Sequence, residues 1–215
     1  MLFGELQVKA DTGVQVSSLK RHCPSSIALI VVDAQLGLDD AAYWGPRNNP
    51  DCEDNIATLI GAWRASSQPI VFVRHDSTEP GSPLRPGLPG NAFKACVTGE
   101  PDLLVAKCVN SAFYGEPNLQ QWLVRREIND VAICGVTTNH CCETTARMAG
   151  NLGYRVFFII DATYTFDRVA LDGSTIPADE ILRVTGANLQ TEFADVISTR
   201  QGVALLTEPT GSSVA

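Results

Sequence analysis

Two observations predict an α/β chain built on a parallel sheet with helices on both faces. Short apolar runs rich in Val and Ile recur along the 215 residues without polar alternation, as strands buried on both faces require. Segments with helical apolar spacing separate them, and such alternation is the pattern of parallel strands joined by crossovers.

The elements follow in order. "SIALIVVD" (26–33) is the first strand. Residues 51–66 form a helix opened by Asp51, with Ile56, Leu59, Ile60 and Trp63 on one face. "PIVFVRH" (69–75) and "LLVAK" (103–107) are the next strands, separated by the Gly- and Pro-rich segment 76–101. A loop that long is more often functional than idle. A helix over 117–128 leads to "DVAICGV" (130–136), and a helix over 141–153, stopped by Gly153, leads to "RVFFIID" (155–161). A helix opened by Pro177 spans 177–193 and precedes the last strand, "ADVIS" (194–198). No internal repeat, low-complexity tract or linker interrupts this order, so one domain is expected over 1–215, with its core at about 25–200.

Composition excludes several classes. At 45% hydrophobic and 19% charged residues the chain is not a largely disordered one. A net charge of -8 with no basic block argues against nucleic acid as a partner. No apolar run approaches the ~18–20 residues that cross a bilayer, so no membrane partner is expected. "MLFGELQVKADTGVQ" lacks the pattern of a secretory leader. The seven cysteines (23, 52, 96, 108, 134, 141 and 142) are odd in number and show no zinc-ligand spacing. Reduced thiols in a cytoplasmic protein are the expectation.

Ligands of an open parallel sheet bind outside the carboxyl ends of its strands. Asp33 closes the first strand, Lys107 closes the third, and Cys141 follows the fourth through a short turn. An acid, an amine and a thiol at one rim suit nucleophilic catalysis. A thiol at a helix start is expected to have a lowered pKa, because the unpaired N–H groups and the dipole favour the thiolate. The bland readings are a buried structural cysteine, a turn aspartate and a lysine reaching for solvent. Cys141 and Cys142 are adjacent, and helical neighbours diverge by ~100°, so both cannot face one crevice.

The terminal Asp of the first strand, "KxxxSAF" from Lys107 to Phe113, and "GVTTNHCCETTA" from Gly135 together resemble the isochorismatase-like cysteine hydrolase superfamily. The resemblance spans roughly residues 25–200 and identifies Cys141 as the nucleophile, with Cys142 where the family usually has valine. It implies a three-layer Rossmann-like sandwich with a six-stranded parallel sheet of order 3-2-1-4-5-6. It also implies a Cys-Asp-Lys triad, a cis peptide between Val136 and Thr137, and an oxyanion hole from the Thr137 and Cys141 N–H groups. A homo-oligomer, dimer or tetramer, is implied as well.

Nicotinamidases of that superfamily hold a divalent metal through an aspartate and histidines after the second strand. Here "VRHDSTEPGSP" carries His75 alone, and His22 and His140 lie elsewhere in the chain. No cofactor and no metal are therefore expected, and His75 is expected to be hydrogen-bonded near the site as a substrate-binding candidate. Tyr43, Trp44, Phe113 and Tyr114 stand on loops at the rim, where aromatics line a pocket or a subunit interface. Arg47 is a candidate for an anionic or carbonyl group of the substrate, or for carbonyls of its own loop. Gln35, just past Asp33, is a further substrate-binding candidate. The expected activity is metal-independent cysteine amidohydrolysis of a small amide, ureide or lactam. Vinyl-ether hydrolysis of the isochorismatase type and a non-enzymatic thiol redox sensor are the alternatives.

Overall fold

The computed structural model describes residues 26–207; His22, Cys23 and the first fifteen residues discussed above lie outside the described residues. Strands β1 (Ile27–Val32), β2 (Ile70–His75), β3 (Leu103–Lys107), β4 (Asp130–Val136), β5 (Arg155–Tyr164) and β8 (Asp195–Ile197) form one sheet. All its pairings are parallel, in the order β3-β2-β1-β4-β5-β8. The six expected strands and their order are therefore present. A two-stranded antiparallel hairpin, β6 (Arg168–Val169) with β7 (Thr175–Ile176), was not legible in the sequence. Two residues per strand are too few to show a period.

Helix α2 (Cys52–Ala65) buries Cys52, Ile56, Leu59, Ile60 and Trp63 against one face of the sheet. These positions recur every three or four residues, which sets a single apolar stripe toward the strands. Each fully buried aliphatic there is worth roughly 1.5–3 kcal/mol. The Trp63 indole N–H donates to Ile27 O at 2.8 Å, so its polar edge is satisfied in the core. Helix α6 (Thr199–Ala204), absent from the sequence reading, packs beside α2 and is opened by a Ser198–Gln201 capping box.

The opposite face carries α3 (Leu119–Arg125), α4 (Glu143–Asn151) and α5 (Ala178–Leu189). Its core joins Leu119 and Leu123 to Ala146, Ala149 and Leu189 over Val131 and Ile133. Among the described residues no helix is long and apolar enough to cross a membrane.

β1 and β4 run side by side at the centre, with Val32 opposite Gly135. Chain order reverses there, so their carboxyl ends open a crevice. Gly135 has φ +124°, and a Cβ built on it would lie 2.0 Å from Val32 O. No other residue lets the two strand ends approach this closely.

Candidate active site

Asp33 leaves β1 with φ 48°, a left-handed conformation that aspartate tolerates better than most residues. Its N–H donates to Val73 O at 2.9 Å, which anchors the turn against β2. The carboxyl group is then 2% exposed at the carboxyl edge of the sheet.

Lys107 ends β3, two strands away from β1, in register with His75 of β2. Its side chain reaches back across the rim. Nζ donates to Asp33 Oδ2 at 2.6 Å and to Cys141 Sγ at 3.4 Å, and lies 3.1 Å from His75 Nδ1. An ammonium has three hydrogens and no lone pair. The imidazole Nδ1 must therefore accept, which places the ring proton on Nε2. Burial and the Lys107 charge lower the His75 pKa, in keeping with a neutral ring. Burial works against the ammonium, but the Asp33 carboxylate beside it outweighs this and holds Lys107 above its ordinary pKa.

Cys141 lies within a π-helical turn, Thr138–Cys142, that precedes α4. The Cys142 N–H donates to Thr137 O at 3.2 Å, the i to i+5 bond of such a turn. The Val136–Thr137 peptide is cis. Cys141 faces the rim, whereas Cys142 is fully buried in the core beneath α4, so the adjacent thiols diverge.

One expectation is corrected here. Burial raises the pKa of the Cys141 thiol, Asp33 raises it further, and Lys107 only partly opposes them. The helix-start argument counted the N–H groups but not the removal of water or a carboxylate in contact. Cys141 is therefore a thiol with a base beside it.

These groups border a cavity of about 110 Å³ lined by Asp33, His75, Thr137 and Cys141, with Trp44, Leu38 and Leu84 as apolar walls. A wider concavity of about 800 Å³ lies at the amino-terminal strand ends, around Arg64, Gln68 and Asp102. The smaller one stands where parallel sheets bind ligands. Among the described residues, the buried Asp33 Oδ1 and Thr137 Oγ1 have no hydrogen-bond partner, and both residues border that cavity.

The other expected residues divide. Trp44, at the end of the short helix α1 (Ala41–Trp44), lines the cavity, fixed by its N–H to Gly37 O at 2.8 Å and by stacking on Phe166 at 5.5 Å. Tyr43 is 47% and Tyr114 70% exposed, and neither lines it. Phe113 is buried on the other face, stacked on Tyr154 at 5.9 Å. Phe113 and Tyr114 split between core and surface, whereas the exposed Tyr43 ring packs edge-on against Trp44 at 4.7 Å and so covers the cavity wall from outside.

Arg47 does not face the cavity. Its guanidinium forks onto Glu53 at 2.6 and 2.7 Å, donates to Asn49 O at 3.1 Å and lies 3.7 Å from the Tyr164 ring centroid. Gln35 is fully buried with its amide spent on backbone: Nε2 donates to His75 O and Asn91 O, and Oε1 accepts from His75 N at 2.7 Å. It positions His75 instead of lining the cavity. Asn91 donates to Leu84 O at 2.8 Å, which ties the long 76–101 segment down and presents Leu84 as a wall.

Four lining residues, Leu84 among them, escaped the sequence reading. Asn110 Oδ1 is 3.8 Å from Cys141 Sγ, and His140 and Leu38 complete the rim. Proximity to Lys107 and Cys141 was the available signal for Asn110 and His140. Leu38 gave none.

The metal expectation can be tested on the donor atoms. Asp33, His75 and Cys141 offer ligand atoms within 4.8 Å of one another. The Lys107 ammonium, hydrogen-bonded to all three, stands among them, so a divalent ion would meet a positive charge at contact distance. Asp76, the other acid beside His75, is taken by Arg74 at 2.7 Å and by Asn91 at 3.0 Å. The residues present do not fit a nicotinamidase-type metal.

The Isochorismatase domain model matches residues 27–201. Isochorismatase family protein YrdC of Bacillus subtilis is 38% identical over 81% of this chain and 92% of its own. Nicotinamidase 3 of Arabidopsis thaliana is 34% identical over 74% of this chain and 84% of its own. The crystal structure of an isochorismatase-family hydrolase from Chromobacterium violaceum superposes with a TM-score of 0.80 at 39% identity, covering 85% of this chain and 94% of that one.

Proposed function

Since the chain belongs to the isochorismatase family of hydrolases, we propose that it is a metal-independent cysteine amidohydrolase that cleaves a C–N bond of a small amide, ureide or lactam. The observation that carries this reading is that the Lys107 ammonium joins Asp33 and Cys141, from three separate strand ends, where the latter two line one small cavity. Nicotinamidase 3, a relative named for amide hydrolysis, supports the bond type.

As Cys141 attacks the carbonyl carbon, its proton passes to Asp33, so the thiol need not be ionised beforehand. The tetrahedral oxyanion rests on the Thr137 and Cys141 N–H groups. Collapse breaks the C–N bond, and Asp33 returns the proton to the leaving nitrogen. Water then attacks the thioester, giving its proton to Asp33 and releasing the acid and the thiol. Lys107 pairs with Asp33 at 2.6 Å and offsets the charge that builds on sulfur and oxygen. His75, neutral and held by Gln35, fixes the direction of the ammonium. The six described cysteines are free thiols, which supports work in a reducing compartment such as the cytoplasm.

The test is ammonia release from a panel of primary amides and ureides, with ring opening followed for lactams. Cys141→Ala should remove all turnover, and mass spectrometry of quenched wild-type reactions should find an acyl group on Cys141. Turnover that survives Cys141→Ala would overturn the reading.

A further inference from the structure

Two imidazoles line the cavity, His75 from the end of β2 and His140 from the π-helical turn that carries Cys141. Each meets a cation at Nδ1. Lys107 Nζ lies 3.1 Å from His75 Nδ1, and Arg168 Nη2 lies 3.5 Å from His140 Nδ1. A guanidinium, like an ammonium, can only donate. Nδ1 of His140 must therefore present its lone pair, because two N–H groups facing each other would repel. The ring proton is then on Nε2, and a second proton has no favourable place.

The surroundings keep that ring uncharged. Burial and the Arg168 charge lower the His140 pKa, and Glu143 opposes them. The Glu143 carboxylate is itself taken, by Arg147 at 2.8 and 3.0 Å and by Thr185 at 3.0 Å. Arg168 does not line the cavity; it opens β6, its Nε is buried without a hydrogen-bond partner among the described residues, and it reaches the site through His140. His140 is thus unsuited to act as a base. Among the described residues its Nε2–H has no hydrogen-bond partner, and neither has that of His75.

We propose that His140 is a neutral hydrogen-bond donor to the substrate through Nε2–H, and that Arg168 is the positioning residue that fixes its tautomer. In the amidohydrolase reading, on which the reaction part of this proposal rests, the attacked carbonyl is served by the Thr137 and Cys141 N–H groups. The imidazole donor is left for a second, uncharged oxygen of the substrate, such as a ketone. His140 is then a specificity-determining residue, since an oxygen acceptor satisfies its N–H and a methyl group in the same place leaves it unmet. The tautomer and the binding step stand without the hydrolase chemistry.

The tautomer is read by long-range proton–nitrogen NMR of the full chain at pH 7, with the His140 signals assigned by their loss in His140→Gln. A neutral ring protonated on Nε2 is expected, and Arg168→Met should let the Nδ1–H form appear. Binding is read by calorimetry on Cys141→Ala protein with three pairs, each an oxo amide and its methyl-branched isostere. The pairs are pyruvamide and isobutyramide, acetoacetamide and isovaleramide, and levulinamide and isocaproamide. The oxo member of at least one pair should bind about five-fold or more tighter, as one neutral hydrogen bond provides. Adding His140→Phe should erase that preference, His140→Gln should keep part of it, and Arg168→Met should reduce it. Thermal unfolding checks that each variant is folded, and His140→Leu takes the place of His140→Phe if the latter is not. A ring protonated on Nδ1 or charged at pH 7, equal binding within all three pairs, or a preference that survives His140→Phe overturns the proposal. His140-dependent binding with no turnover of any amide would leave the proposal standing and defeat the hydrolase chemistry instead.

Discussion

Lys107 Nζ and Asp33 Oδ2 are 2.6 Å apart although their strands, β3 and β1, are separated by β2, and their side chains are 0% and 2% exposed. A pair this deeply buried ties the outer strand to the centre of the sheet and joins stability to activity. Removing one partner from such a pair costs roughly 3–5 kcal/mol, because the other charge stays buried without compensation. Lys107→Met should show that loss in urea denaturation and should lower kcat by orders of magnitude. The double variant Asp33→Asn/Lys107→Met should regain most of the stability and none of the activity. Losses of activity should be far from multiplicative, as for groups acting as one unit. Additive stability losses would mean that the two charges do not compensate each other.

The protonated state of Cys141 predicts its reactivity. At neutral pH, iodoacetamide should alkylate exposed Cys108 ahead of Cys141, since Cys141 is held as the thiol by burial and by Asp33. A small aldehyde should inhibit reversibly through Cys141, because addition to its carbonyl lets Asp33 receive the proton. Peptide mapping that finds Cys141 labelled first at pH 7 would show a standing thiolate.

The same thiols set an alkaline limit. Burial raises the pKa of Cys134 and Cys142, as it does that of Cys141. A free thiol titrates near about 8.5, so above that pH the unfolded chain loses protons that the native state keeps. Stability is then fully present below about pH 8.5 and falls as pH rises, by up to about 1.4 kcal/mol per pH unit for each such thiol. Urea midpoints should drop between pH 8.5 and 10, less steeply in Cys134→Ala. A flat midpoint would count against the buried thiols as its cause.

Metal independence can be tested through the ammonium itself. Activity should survive prolonged chelation, and nicotinamide should be a poor substrate. Lys107→Met should instead free Asp33, His75 and Cys141, whose ligand atoms lie within 4.8 Å of one another, to take a soft divalent ion. Cobalt titration should show a thiolate charge-transfer band in that variant and none in wild type. Activity lost on chelation and restored by added metal would refute the argument from charge.

Arg47 should matter to folding rather than to substrate. Burial pushes the Glu53 carboxyl up, but Arg47 and Lys94 prevail and bring it down to about 2. Glu53 therefore contributes stability that is present above its unfolded value near 4.3 and is lost as pH falls toward 2. Arg47→Ala should cost about 2–3 kcal/mol, move acid unfolding to higher pH, and leave KM within about two-fold. A large KM change with unchanged stability would return Arg47 to the substrate.

The sequence by itself determined the sheet and the three strand-end groups. Apolar runs such as "ALIVV" in β1 and the stripe Ile56–Leu59–Ile60–Trp63 in α2 are local, periodic signals, and parallel topology follows from their alternation. Asp33, Lys107 and Cys141 were legible because each is polar where such a run stops. The small hairpin, α6 and the π-helical turn were not, being too short to carry a period.

Only the tertiary structure decided what each polar group meets. Arg47 could read as a substrate ligand until Glu53 came within 2.6 Å, and Gln35 until its amide closed on the His75 backbone. The thiol of Cys141 could read as lowered until burial and Asp33 were set beside it. Charge, protonation and hydrogen bonding depend on distances between residues far apart in the chain, fixed by packing across β2, β1 and β4. Local spacing holds no record of those distances.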